Sequence, residues 1–127
     1  MIASLGNIQI NPNQYWKYAN FNKTDPINVT FNHDPNVNYT LLIVDENNPK
    51  PYMIHQLVIN NNTTIHKYQP PSPPKNSGPH HYHILILEQN EKINDLNDLP
   101  RISFDPHDFI ERYHLKIIDS LTFTVEN

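Results

Sequence analysis

The segment Gln69-Pro70-Pro71-Ser72-Pro73-Pro74-Lys75-Asn76-Ser77-Gly78-Pro79-His80-His81-Tyr82 holds the chain's densest chemistry. Prolines fix φ and remove donors, so this is a stiff turn, and Gly78 supplies its one permissive backbone position. It runs into the apolar stretch His83–Leu87 and delivers His80 and Tyr82 at period two, on one face at the mouth of a strand. An imidazole and a phenol held the same way are hydrogen-bond donors suited to an anion. Three histidines, His80, His81 and His83, also invite a zinc reading. Strand alternation sends His81 and His83 to one face and His80 to the other, which ranks metal binding below an anion site. Hydrolysis needs a nucleophile, and no serine sits in a nucleophile-elbow context; Ser72, between prolines, reads as a turn residue.

The elements that would position these groups are mostly strands. Twelve prolines and many asparagine-containing turns cut the 127 residues into short segments. Candidate strands are Asn28–Phe31, Tyr39–Val44, Met53–Asn60, His81–Glu88 and Leu121–Glu126. Tyr39–Val44 and His83–Leu87 are nearly continuous apolar runs, expected of central strands buried on both faces. One helix is well signalled over Pro106–His114: Asp105 as N-cap, Pro106 at the first position, Asp108 three residues after the cap, and Phe109, Ile110 and Tyr113 as an apolar stripe. Asn94–Leu99 reads as another short helical turn. Tyr15, Trp16 and Tyr18 form an aromatic cluster, expected to pack against the sheets rather than to form a partner patch.

Composition narrows the function class. Hydrophobic residues make up 37%, enough for one core, so residues 1–127 read as a single domain. Net charge is −4, which leaves no basic field for nucleic acid. No apolar run is long enough to span a bilayer, and the N-terminal Met1–Gly6 lacks the regions of a signal peptide. The absence of cysteine excludes disulfides, thiol catalysis and cysteine-based zinc sites. Matches to the N-glycosylation pattern, among them Asn22, Asn28, Asn38 and Asn62, read as chance in an asparagine-rich chain. Preference for Asn, Ile and Lys over Gly and Ala fits an AT-rich genome, such as that of a large DNA virus or a parasite. A cytoplasmic location is expected, in the host if the genome is viral.

Two segments resemble the signatures of the phosphatidylethanolamine-binding protein family, which includes Raf kinase inhibitor proteins and plant flowering-time regulators. Asp45-Glu46-Asn47-Asn48-Pro49, followed by His55–Asn60, is similar to the first signature, an Asp-Pro-Asp-x-Pro turn, a loop and a histidine opening a strand. Ser72-Pro73-Pro74-Lys75 through Gly78-Pro79-His80-His81-Tyr82 is similar to the second, Gly-Pro-Pro-x-x-x-Gly-x-His-x-Tyr. The likeness extends to Tyr39-Thr40-Leu41, Arg101–Phe104 and Leu121-Thr122-Phe123, roughly residues 26 to 125. Glu46 and Asn47 depart from the first turn, and Ile54 stands where many members have a second histidine. The resemblance implies a Greek-key β-sandwich of two antiparallel sheets with short helices and a small anion pocket at one end. Carried over by position, Asp45, Pro49, His55, Pro73, Pro74, His80 and Tyr82 line that pocket. Ser72 occupies a family glycine whose backbone amide faces the anion.

The resulting expectation is a binding domain, not an enzyme, that needs no cofactor. Its ligand would be a phosphate group, on a phospholipid head group or a phosphorylated side chain. Its protein partner would be a kinase or other signalling protein. A protein-interaction module with a vestigial pocket, or a small hydrolase, are the alternatives. His55 and His80 are expected to donate to the phosphate, and His80 to lie at a strand mouth outside the core.

Overall fold

The computed structural model describes residues 1–46, 52–96 and 98–127. The strands are β1 (Ile2–Leu5), β2 (Ile8–Gln9), β3 (Gln14–Lys17), β4 (Ile27–Thr30), β5 (Tyr39–Asp45), β6 (Met53–Ile59), β7 (Thr63–His66), β8 (Pro79–Glu88) and β9 (Lys116–Glu126), with helix α1 (Pro106–Arg112) before β9. They form a three-stranded sheet, β2-β1-β4, and a six-stranded sheet, β3-β9-β8-β5-β6-β7. Within the larger sheet β8 returns beside β5, giving the order β8-β5-β6-β7 of a Greek key. Pairing is antiparallel except at one edge, where β3 runs parallel to β9 with Trp16 opposite Val125. No described helix is long and apolar enough to cross a membrane.

The continuous apolar runs have a simple cause: the middle of the six-stranded sheet, around β5, is covered on both faces. Ile43, Ile84 and Phe123 face Ala3, Leu5 and Ile27 of the smaller sheet across one core. Their sequence neighbours Leu42 and Val44 join Ile54 and Leu57 in a second core, under Phe104, Phe109 and Leu115. Both sides of β5 therefore need apolar residues, and alternation is lost.

Helix α1 forms where its signals place it. The Asp105 carboxylate accepts from the amides of His107 at 3.0 Å and Asp108 at 3.2 Å, and Pro106 and Phe109 turn inward. Such a cap contributes about 1 kcal/mol. The helix stops at Arg112, two residues earlier than expected, and His114 takes φ +52°. The expected short helix at Asn94–Leu99 is not seen at the described residues 94–96 and 98–99, which are irregular, with Leu96 buried. There the apolar spacing reflects a loop pinned to a core, not a helical face.

The inter-sheet core holds an aromatic column. Phe21 stacks on Phe123 at 6.1 Å, Phe123 on Tyr82 at 5.2 Å, and Trp16 meets Phe21 and Phe123 edge-on. Trp16 thus packs inward, while Tyr15 is exposed and bonds Glu126 through its hydroxyl. Replacing Phe123 with Ala is expected to cost about 3–5 kcal/mol, because the residue is fully buried. Ile102→Ala, at a 63% exposed position, should stay within about 0.5 kcal/mol. Urea unfolding of the two variants checks both values.

Candidate functional site

Two neighbouring strands bring the polar groups together. β5 ends at Asp45 and β8 begins at Pro79, and their register sets Asp45 opposite Tyr82. Directly opposed residues share a face, and His80 lies on that face two residues earlier. The third group comes from β6, where Val44 pairs with Ile54 but Ile43 pairs with Gln56. His55 is thus the extra residue of a β-bulge, a device that re-aims side chains beside functional sites. The proline-rich segment closes the wall: the Gln69 amide donates to the His55 carbonyl at 2.8 Å.

These elements enclose a cavity of about 260 Å³, lined by Asp45, Met53, His55, Gln69, Pro70, Ser72, Pro74, His80 and Tyr82. Six of the eight residues indicated by the family motifs therefore meet at one place. Pro73 does not line it; it is buried, and its carbonyl accepts from Asn127 Nδ2 at 2.9 Å. Pro49 lies outside the described residues. Met53, Gln69 and Pro70 are additions. Met53 sits two residues before His55, so strand periodicity carried a signal for it, whereas the main-chain role of Gln69 carried none.

His80 lies at the mouth of β8 as expected, but at 2% exposure it is inside the protein and not outside the core. Its Nδ1 meets Asp45 Oδ2 at 2.9 Å, and its Nε2 meets Ser77 Oγ at 2.9 Å. The Ser77 hydroxyl donates to the Pro74 carbonyl at 2.6 Å, so His80 Nε2 donates to Ser77. Both ring nitrogens are engaged within the protein, which leaves His80 no proton for a ligand. Its work is to tie β5, β8 and the Pro74–Ser77 turn together.

His55 has the opposite character. Its Nδ1 donates to the Gln69 carbonyl at 2.7 Å. Its Nε2 is buried and has no partner. Burial lowers the ring's pKa, only partly offset by the Gln69 carbonyl and Asp45. At neutral pH the ring is uncharged, with its proton on Nδ1 and a lone pair on Nε2. Tyr82 meets His55 edge to face at 5.2 Å and is 1% exposed. Burial, then Asp45, pushes its phenol pKa up, so it stays protonated.

His81 and His83 lie across the sheet from this cavity, as alternation requires. His81 Nδ1 bonds Thr124 Oγ1 at 2.9 Å, and His83 Nδ1 bonds Thr122 Oγ1 at 2.8 Å, with Nε2 on the Glu46 carboxylate. Among the described residues no cluster of three or more histidines and acids is placed to hold a metal ion.

A model of the phosphatidylethanolamine-binding protein family matches residues 43–116, more than half of the chain and both segments that build the cavity. The chain belongs to that family. Comparison with curated protein sequences gives no match. Among solved structures, a carboxypeptidase Y inhibitor complexed with its cognate proteinase is similar in fold, with TM-score 0.74 and 15% identity over 99% of this chain and 82% of that one. A phosphatidylethanolamine-binding protein from Plasmodium vivax follows, with TM-score 0.69 and 13% identity over 98% and 84%. One from Plasmodium falciparum gives 0.65 and 16% over 95% and 80%.

The depressed His55 pKa makes stability depend on pH. The unfolded chain binds a proton at about 6.5, while the folded chain binds it only at lower pH. The contribution of neutral His55 is complete above about pH 6.5 and is lost as pH falls from there through the folded value. Urea midpoints between pH 5 and 7.5 should therefore fall on acidification, and fall less steeply in His55→Gln. The difference between the two slopes isolates this ring from the other histidines.

Proposed function

We propose that this domain binds a phosphate-type anion in the cavity between His55, Ser72 and Tyr82, and does so without turning it over. The observation that carries the reading is the unpartnered, buried Nε2 of His55 in a residue that lines the cavity. An unsatisfied buried polar atom costs about 1–3 kcal/mol, which a polar ligand would offset. The enclosed volume suits a head group rather than a larger molecule, being below the usual range for drug-sized ligands. Membership of a family named for binding phosphatidylethanolamine supports a phosphorylated ligand. The similar fold of an inhibitor solved with its proteinase supports a regulatory role toward a protein partner, a kinase being one candidate class.

A hydrolase is the second reading, because Ser77, His80 and Asp45 stand in the order and contact geometry of a catalytic triad. Two observations favour binding instead. The Ser77 hydroxyl is aimed at the Pro74 carbonyl, and Ser77 does not line the cavity. Nitrophenyl acetate and nitrophenyl phosphate assays discriminate: turnover that disappears in Ser77→Ala would replace binding by hydrolysis.

Titration of the protein with methyl phosphate, followed by NMR shifts of the His55 and Tyr82 signals, tests the main reading. Saturable binding is expected, weakened roughly 10–150-fold in His55→Leu, the range for a hydrogen bond to a charged group. Lys75→Ala, at an exposed position, should leave it unchanged. No saturation in the wild type, or equal affinity in His55→Leu, would leave a protein-interaction module with a vestigial pocket as the better account.

A further inference from the structure

We infer that the domain carries a second binding site, an inter-sheet cleft that takes an uncharged aromatic ring bearing one hydrogen-bond donor. It lies apart from the cavity described above and does not rest on the phosphate reading.

The two sheets are unequal, and the cleft is the consequence. β4 is an edge of the three-stranded sheet, whereas the six-stranded sheet runs on from β5 through β6 to β7. The roof therefore ends where the floor continues. Val29 of β4 packs against the same core as Leu41 of β5, and Val58 of β6 pairs with Leu41. Val29 and Phe31 on one side and Tyr39, Leu41 and Val58 on the other line a cleft of about 440 Å³. That volume falls in the range of small-molecule sites. Tyr39 and Asp45 are the two ends of β5, which places the cleft about 20 Å from the Asp45 end and its cavity.

Three rings meet in this cleft. Phe31 meets Tyr39 at 5.1 Å and 78°, and His33 lies 5.2 Å from Phe31 and 6.2 Å from Tyr39. Edge-to-face rings offer a further flat ring the same favourable geometry. Tyr39 is buried, while Val29, Phe31, Leu41 and Val58 are half-buried, so apolar surface is open to a ligand in the folded protein.

The charge of the occupant follows from the lining, which contains no Lys, Arg, Asp or Glu. An ionised group set against Val29, Leu41 and Val58 would lose hydration and meet no counter-charge. Most polar side chains of the cleft are committed to the protein. Thr40 Oγ1 donates to Gln89 Oε1 at 2.9 Å. Asn61 accepts from the Tyr39 amide at 2.8 Å and donates to the Val37 carbonyl at 3.2 Å. The Tyr39 hydroxyl accepts from the Asp34 amide at 3.0 Å. His33 differs. Its Nδ1 donates to the Phe31 carbonyl at 3.3 Å, so the neutral ring presents Nε2 as an acceptor. An N–H or O–H on the bound ring matches that atom.

Indole, 1-methylindole and indole-3-acetate are the probes, titrated at pH 8 and followed by NMR shifts of the Val29 and Leu41 methyl groups. Indole should bind saturably and roughly 2–10-fold tighter than 1-methylindole, the range for one neutral hydrogen bond. Indole-3-acetate should bind no tighter than indole. His33→Phe keeps a ring and removes the acceptor, and should bring the ratio of indole to 1-methylindole affinity close to one. Val58→Trp fills the cleft and should abolish the shifts. Where that variant fails to fold, Phe31→Leu carries the test, with indole affinity falling roughly 2–10-fold. Saturating methyl phosphate should leave indole affinity unchanged; competition between the two places indole in the His55 cavity and overturns the second site. No saturation by indole, tighter binding of indole-3-acetate, or a ratio unchanged in His33→Phe also overturns it. Concentration-dependent dimerisation that Val58→Trp abolishes, with no indole binding, overturns it in favour of a second copy of the chain.

Discussion

The contact between Asp45 and His80 is the constraint on which the cavity depends. It joins residues 35 positions apart at 2.9 Å, with both partners almost out of solvent. A buried acid–imidazole contact is strongly geometry-dependent, since removing either partner leaves a desolvated polar group behind. It can form only if β5 and β8 keep the register that sets Asp45 opposite Tyr82. A slip of one residue would send every side chain of β8 to the other face, trading His80 and Tyr82 for His81 and His83. The second ring nitrogen of His80 extends the constraint through Ser77 to the Pro74 carbonyl. One imidazole thus fixes two strand ends and the turn that forms a wall.

Core and site are not separate structures here. The Phe21, Phe123 and Tyr82 rings continue toward His80, which lies 6.4 Å from Tyr82 at an angle of 23°. Tyr82 is both the last ring of the inter-sheet core and a wall of the cavity. The rigidity of the packed interior therefore reaches the cavity wall without an intervening loop. Its phenol is held where packing places it, so little side-chain freedom is left to lose on any contact made from the cavity.

Much of this was legible in the sequence, for definable reasons. Asp105-Pro106 marks a helix start because capping and the proline constraint are local. The runs at β5 and β8 mark central strands because burial on both faces removes polar residues. The motif positions of Asp45, His55, Ser72, Pro74, His80 and Tyr82 meet at one cavity. What stayed hidden depends on partners distant in the chain. β3, with its sequence Gln-Tyr-Trp-Lys, becomes a strand by lying parallel to β9. The first half of β9 exposes Ile117 and Ile118, which breaks the pattern that would have announced it. The bulge that delivers His55 is a property of the β5–β6 pair and not of either strand alone.

The hydrogen-bond roles of the two histidines were the least legible feature, and they separate the residues' functions. Residue type gives both rings the same capacity to donate or accept. Surroundings then divide them: His80 meets an acid and a hydroxyl, while His55 meets one carbonyl and then nothing. The first arrangement is closed and stabilises the fold. The second is open, at a cost of about 1–3 kcal/mol against a typical total stability of about 5–15 kcal/mol. Within one cavity, the satisfied ring ties the walls together and the other ring keeps a buried nitrogen without a protein partner.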